Sequence, residues 1–548
     1  VKVEYRNLPD INDLFLDYIS EPSKLMAFFN GHFSEPDAFI KIVNQKSESY
    51  HHESFNRNVL CDILTEQNIL FGGGERVFLN IEKLREEKTF AVVTGQQVGI
   101  LTGNLYTIYK AINTFQLSNF LSEKYPEYNF VPIFWMEADD HDFLEVNSIN
   151  ILNSENKIQK ISYFENSQPQ ERYLKPINSI IFDETITKFI DELQSCLLNT
   201  EFSPKLINLL QDCYRPGVSF TVAFGKFFQQ LLGDKGIILL NPADTKIKNL
   251  VIPVFERELR TYPRSCESVI EISAVIEQMY EPQVKPRPIN LFFTHQGNRY
   301  VIEPKTDNTF SLRNSRQKFS EEELFSLLYS NPEYFSPNVV LRPITQDYLL
   351  PTITYIAGPS EIAYFSQLKE VYSLFNIPMP IIYPRSSVTF VERRVAAFFD
   401  KYELPLELFY EEGLLRNKMM YKVNEIKIED IFSDYFDEIN AITYKLIEKI
   451  EQIDKSLTDG LKNRKDKYLE IVENFQRKFL DVQAKLNESN VIKLKLYLNM
   501  LYPEGVLQER FFNITYFINK YGLDFISKLI DSVQLEPTYH QLITIPEP

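Results

Sequence analysis

Tryptophan occurs once in this chain, cysteine four times and histidine six times, among 548 residues. The cysteines, Cys61, Cys196, Cys213 and Cys266, include no pair at CxxC spacing. That excludes a sequence-evident zinc ribbon or dithiol redox motif and provides no disulfide framework. Reduced thiols in a cytoplasmic protein are the expectation. No run approaches the roughly 20 apolar residues of a membrane-spanning helix. The opening residues, Val1 to Arg6, lack the apolar core of a secretory signal. Basic residues are in deficit: 58 Lys and Arg against 75 Asp and Glu leave a net charge of −17. This argues against a broad nucleic-acid surface, which needs clustered cations, but leaves room for a local basic pocket for a small anion. Missing too are a GxSxG elbow, an HExxH motif, a Cys-His nucleophile context, a phosphate loop and a dinucleotide fingerprint. Covalent hydrolase chemistry has no support.

What is present is an aromatic-rich globular chain, with 31 Tyr and 43 Phe, long enough for roughly three to four domains or one large core with insertions. Its organising stretch is Phe90 to Gly103. The apolar run Phe90-Ala91-Val92-Val93 reads as a buried strand, Thr94-Gly95-Gln96-Gln97 as a polar turn, and Leu105, Ile108, Tyr109, Ile112 and Phe115 as a helix. A strand, turn and helix in that order present a ligand site at the carboxyl edge of a doubly wound sheet. Thr94 could cap the helix while Gly95 admits an anion to the backbone. A tight turn packing the helix on its sheet explains the same glycines.

Further apolar runs end in polar clusters: Phe130–Met136 before Glu137 to Asp142, Gly236–Leu240 before Asp244, Thr352–Ala357 before Gly358 and Glu361, and Pro380–Tyr383 before Arg385 and Ser386. Asn338 to Pro343 reads as another return to the core, and Pro132 counts against a central place for its strand. Strands interleaved with helices argue an α/β fold with a parallel sheet. Residues 1–85 read as mostly helical, with Gly72-Gly73-Gly74 a turn, and a hairpin is expected at Gln296-Gly297-Asn298. Past residue 430, Leu446, Ile450, Ile453 and Leu457, then Tyr468, Val472, Phe475, Phe479, Val482 and Leu486, mark a heptad seam in two arms. Asp454 to Gly460 supplies the turn of an antiparallel hairpin.

The densest candidate chemistry is Asp139-Asp140-His141-Asp142. A histidine flanked by carboxylates suits a general base. The same groups could ligate a metal, but no second cluster supports one, and acids at a helix N-terminus are the structural alternative. Lys110, Arg342 and Arg385 lie near strand ends and could clamp carboxylates or phosphates. Gln96, Gln97, Asn338 and Gln346 could orient a polar small molecule.

Several of these blocks resemble the bacillithiol biosynthesis cysteine-adding enzyme family. They are Thr94 to Ala111, Pro132 to Trp135 with Asp140 to Asn147, Phe335 to Pro343 with Gln346-Asp347, Tyr355 to Tyr364, and Gln508-Glu509-Arg510. The resemblance implies a Rossmann-like core similar to class I aminoacyl-tRNA synthetases, with connecting-peptide insertions and an α-helical coiled coil for homodimerisation. On that basis residues 1–85 form an N-terminal segment joined to the core; 86–146, 233–260 and 338–400 form the core; 147–232 is an insertion and 261–337 a connecting-peptide insertion. Residues 401–500 form the coiled coil and 501–548 a C-terminal segment. The implied reaction joins cysteine, through its carboxyl, to the amine of glucosaminyl-malate, the last step of bacillithiol synthesis. ATP is the expected means of activation, though no motif settles its use and no metal is expected. The first strand lacks the His pair of the synthetase nucleotide signature, which puts conventional adenylate chemistry in doubt. In this reading His141, held by Asp140 or Asp142, deprotonates the amine. Thr94, Gly95, Gln96 and Gln97 bind at the first turn, Arg342 and Arg385 hold malate carboxylates or phosphates, and Lys110, Asn338, Gln346, Gly358, Glu361 and Ser386 complete the substrate-binding set. Alternatives are another nucleotidyl- or aminoacyl-transferase on the same core, and a non-enzymatic coiled-coil dimer that binds metabolites.

Overall fold

The computed structural model describes residues 1–50, 57–164, 174–423 and 428–546. Its centre is a five-stranded sheet of β1 (Thr89–Gln97), β2 (Asn129–Glu137), β3 (Ile238–Leu240), β4 (Thr352–Ala357) and β5 (Ile381–Pro384). All neighbours are parallel, in the order β5-β4-β1-β2-β3. The chain builds outward from β1 to β3 and then returns to the other side of β1 with β4. That reversal opens a crevice at the carboxyl edge between β1 and β4. Phe90, Val92, Ile353, Ile356 and Ile381 bury one face together with Leu117 and Leu121 of α1 (Leu105–Lys124). Each such side chain contributes about 1.5–3 kcal/mol through removal from water.

Strand length shapes the edge. β1 and β2 pair over nine positions, from Thr89–Asn129 to Gln97–Glu137. Pairing of β4 with β1 ends at Ile356–Thr94, and that of β3 with β2 at Leu240–Trp135. The last residues of the two central strands therefore overhang their neighbours. Thr94 to Gln97 is the end of a strand, where the sequence suggested a turn. Thr94 caps nothing: its hydroxyl donates across to the Ile356 carbonyl at 2.9 Å, and Asn104 occupies the cap position of α1. The turn lies further on, where Leu101, Thr102 and Gly103 all have positive φ. Gly99 is needed there because a Cβ would lie 2.8 Å from the Gly103 Cα. Pro132 sits in an inner strand after all. β3 pairs only with Ile133 to Trp135, so at Pro132 the strand has a hydrogen-bonded neighbour on one side alone.

Asn338 to Pro343 is not a strand. Asn338 accepts from the N–H groups of Val340 and Leu341, starting the helix α2 (Leu341–Leu349), with Pro343 in its first turn where a missing N–H is tolerated. The strand just before it, Phe335–Pro337, pairs antiparallel with Leu291–His295 in a separate sheet. That sheet contains the expected hairpin, closed by Gln296 and Gly297 at φ 49° and 78°. α3 (Pro359–Phe365) follows β4. Residues 147–232 hold a two-stranded hairpin and the helices Thr185–Cys196, Ser203–Cys213 and Phe220–Leu232. All four cysteines are free.

The chain divides into two compact units, one of Lys2–Thr389 with Glu509–Gln541 and one built on Phe390–Gln508. The second contains the antiparallel hairpin of α4 (Ile428–Glu451) and α5 (Thr458–Leu486), turned at Asp454, whose carboxylate accepts from the Ser456 N–H. Phe432 meets Phe475 and Phe479 across the pair, and Ile447 and Leu480 are buried. Much of the expected seam, however, including Leu446, Ile453, Tyr468, Phe475, Val482 and Leu486, is exposed. At the apolar doublet Leu446-Ile447 the hairpin buries Ile447 and leaves Leu446, the residue of the expected seam, exposed.

Gly99→Ala should destabilise the protein by about 1–3 kcal/mol through overpacking against backbone, read as a lower urea midpoint. Gly413→Ala, whose Cβ meets nothing within 4 Å, should cause no loss.

Candidate active site

A cavity of about 620 Å³ occupies the carboxyl edge of the sheet. The strand overhang supplies Gly95, Gln96, Gln97 and Glu137; Tyr106 and Lys110 come from α1, Arg342 from α2, and Gly358 to Glu361 from the start of α3. Asp140 and His141 line it just beyond β2. Phe292, Arg299 and Asn338 enter from the second sheet and its flank, and Lys285 and Arg287 from a proline-punctuated segment; Arg385 and Arg510 complete the wall.

Lys110 is spent on the protein itself. Its ammonium donates to the Gly95 carbonyl at 2.8 Å and to Gln96 Oε1 at 3.0 Å, and it pairs with Glu361 at 2.5 Å. Glu361 also accepts from the Gly358 N–H at 2.7 Å and the Tyr355 hydroxyl at 2.9 Å. Burial alone would raise its pKa, but Lys110 and the Gly358 N–H hold it below the ordinary carboxylate value. Together Lys110 and Glu361 tie β1 and α3 to one helix.

Arg342 and Arg385 are likewise engaged. Arg342 donates to Gln346 Oε1 at 3.1 Å and to the Tyr364 hydroxyl at 2.9 Å, with Glu137 3.7 Å from its Nε. Gln346 lies outside the cavity lining, fully buried, bonded to Arg342 and Asp347. Arg385 pairs with Glu509 at 2.6 Å, both side chains buried, and lies over the Tyr106 ring. Ser386 is not at the cavity: its N–H donates to Asn113 and its hydroxyl to the Gln534 carbonyl.

The acid cluster disperses as the chain leaves β2. Asp139 forms a buried ion pair with Lys248 at 2.5 Å. Asp142 is exposed at the start of a one-turn helix, outside the cavity lining, and caps nothing. Asp140 alone faces His141. It accepts from Gln97 Nε2 at 2.6 Å and from the His141 N–H at 2.7 Å. Burial would raise its pKa, yet His141, Arg299 and Gln97 together hold it well below the usual carboxylate range. His141 Nδ1 lies 3.5 Å from Asp140 Oδ1 and 3.3 Å from Arg299 Nη1. Arginine only donates, so an imidazole accepting from Arg299 carries its proton on Nε2. Arg299, stacked 3.8 Å over the Phe292 ring, thus competes for the atom the base assignment needs.

Three cations differ from the rest. Among the described residues, the side chains of Lys285, Arg287 and Arg510 have no carboxylate at ion-pair distance and no hydrogen-bond partner, and all three line this cavity. The sequence reading missed Lys285, Arg287 and Arg299, which come from segments without a strand-end signature. Glu137 and Arg510 lay inside blocks already singled out. No grouping of three His, Cys, Asp or Glu side chains suited to a metal occurs among the described residues.

A Rossmann-like sheet with a cation-lined cavity at its switch point, followed by a helical hairpin, defines the class of protein. Residues 1–386 match the family model "Bacillithiol biosynthesis BshC, N-terminal Rossmann-like domain", and 388–545 match "Bacillithiol biosynthesis BshC, C-terminal coiled-coil domain". The chain is 34% identical to a protein of Chloroherpeton thalassium over 98% of its length and 97% of the relative's, and 34% identical to one of Chlorobaculum tepidum over 97% and 96%. A relative from Bacillus cytotoxicus is 28% identical over 96% of each chain. All three are named "Putative cysteine ligase BshC". The chain belongs to the BshC family of bacillithiol biosynthesis. Although the C-terminal family domain begins at residue 388, Glu509 to Gln541 packs with the Rossmann-like unit, which brings Glu509 to Arg385.

Glu509→Gln should cost about 3–5 kcal/mol at neutral pH by leaving Arg385 buried without its anion. Burial would raise the Glu509 pKa, but Arg385 brings it below the ordinary value in the folded state. The pair's contribution is therefore present above the unfolded carboxyl value and lost as pH falls through the lower folded one. The gap between wild type and variant in urea unfolding should shrink accordingly on acidification.

Proposed function

We propose that the chain is a ligase that joins the carboxyl of cysteine to the amine of glucosaminyl-malate, completing bacillithiol. The observation that carries this reading is the set of unpaired cations, Lys285, Arg287 and Arg510, around one cavity of an otherwise acidic chain. Three unneutralised charges suit a substrate with two carboxylates, and a volume of about 620 Å³ suits an amino-sugar conjugate. Phosphates of an activating ATP would find the same cations. Gln96, Asn338, Arg342 and Arg385 shape the wall through their internal partners. His141 offers its Nε2–H as a donor to developing negative charge. We place the reaction in the cytoplasm, where thiols stay reduced.

Purified protein given cysteine and glucosaminyl-malate, with and without ATP and Mg²⁺, should form bacillithiol by mass spectrometry in at least one condition. A deletion strain should accumulate glucosaminyl-malate, and normal bacillithiol there would sink the reading. Arg287→Gln and Arg510→Gln should each raise KM for glucosaminyl-malate about 10–100-fold, the value of one charge-assisted bond, with kcat nearly unchanged.

We further propose that the outer stripe of the hairpin pairs with a second copy of the chain. Ile442, Ile453 and Leu486 are each more than 60% exposed, and an apolar heptad stripe left in water favours helix association. Ile442→Glu with Leu486→Glu should convert a dimer into a monomer by light scattering. A monomeric wild type would overturn this.

A further inference from the structure

We propose that Glu137 is the general base of this site, taking the proton from the substrate ammonium so that the free amine can attack the cysteinyl carbon. The inference rests on the ligase reading above and names the group that performs its proton transfer. Glu137 is the last residue of β2, carried above the neighbouring strand by the overhang and lining the cavity. One oxygen, Oε2, is held by the Trp135 indole N–H at 3.2 Å and lies 3.7 Å from Arg342 Nε. The other, Oε1, has no hydrogen-bond partner among the described residues. The carboxyl is thus oriented on one side and open to a proton on the other.

The remaining cavity carboxylates are differently placed. Glu361 is saturated by Lys110, the Gly358 N–H and Tyr355. Asp140 accepts from Gln97 and the His141 N–H and faces Arg299, and Glu145 accepts from Gln97 at 2.9 Å. Glu361 and Asp140, held as anions by fixed donors, are poor proton acceptors. Burial pushes the Glu137 carboxyl up to about 7, with Asp139 and Asp140 adding to the shift and Arg342 and Arg299 opposing it; Tyr364 of α3 also faces it. Two carboxylates of one site driven apart in this way mark separate roles, Asp140 a fixed anion and Glu137 the group that exchanges protons near neutral pH.

The step balances simply. Two N–H bonds break on the way from ammonium to amide. The first proton forms an O–H bond on Glu137, the released lone pair forms the C–N bond to cysteine, and the second proton passes from the nitrogen of the tetrahedral adduct to the departing leaving group. Cysteine must enter as a phosphoric mixed anhydride or an equivalent activated acyl group, whose leaving group departs with the electron pair of the broken C–O bond. Glu137 returns its proton to the leaving group or to water.

The test is bacillithiol formation by the full chain in a deletion strain, followed by pH–rate profiles with the purified protein under whichever activating condition gives turnover. Wild type that forms no product in the strain would overturn the ligase reading, and with it this assignment. With wild type active, Glu137→Gln should lower kcat about 10²–10⁴-fold, the usual contribution of a general base. Affinity for glucosaminyl-malate in calorimetry should change only a few-fold. The acidic limb of the wild-type kcat/KM profile, near pH 7, should vanish in the variant. Glu137→Asp should recover part of the rate with the limb displaced, which also serves if the Gln variant fails to fold. Retention of the rate within a few-fold in Glu137→Gln, an unmoved limb in Glu137→Asp, or a limb lost in His141→Asn but kept in Glu137→Gln would each overturn the proposal.

Discussion

The site depends on one buried ion pair, Lys110 with Glu361. Taking an ammonium and a carboxylate out of water costs several kcal/mol per ion, and close contact alone does not recover it. Here each group also has further hydrogen bonds: Lys110 to the Gly95 carbonyl and the Gln96 side chain, Glu361 from the Gly358 N–H and the Tyr355 hydroxyl. The same contacts join the end of β1, the helix behind it and the first turn of the helix after β4. The edge of the sheet is thereby held in shape before any ligand arrives, which is the preorganisation that positioning and electrostatic catalysis require.

Two further buried pairs repeat this design, Arg385 with Glu509 and Asp139 with Lys248. Charges in the cavity region thus fall into two sets. Those with partners build the walls. Lys285, Arg287 and Arg510 have none among the described residues and are the groups a substrate can neutralise. The carboxylates divide similarly, with Asp140 and Glu361 fixed by donors and Glu137 open on one oxygen. An acidic chain can therefore present a locally cationic, proton-exchanging site without a basic surface.

Much of the fold was legible because strand and helix follow from local patterning. The runs at Phe90, Phe130, Ile237, Thr352 and Ile381 became the five sheet strands, and the Gln296-Gly297 turn closed its hairpin. The errors came where a local signal had two uses. Thr94-Gly95-Gln96-Gln97 has turn composition, yet pairing with β2 keeps it extended. Asn338 to Pro343 has a strand's apolar content, yet the Asn338 side chain starts a helix there.

For the site, the sequence by itself placed Gln96, Gln97, Asp140, His141 and Arg385 at one sheet edge, because strand ends in a parallel α/β fold converge. Arg342 reaches the same edge from the first turn of α2, not from the strand end the pattern suggested. The sequence also determined the two-armed helical hairpin and the absence of CxxC spacing. Only the tertiary structure decided which groups are free to act. Asp142 and Ser386 lie outside the cavity lining, Lys110 and Glu361 neutralise each other, and Arg299 arrives from a distant hairpin to face His141. Whether a charge is spent or available depends on partners tens to hundreds of residues away, and no local pattern encodes such pairings.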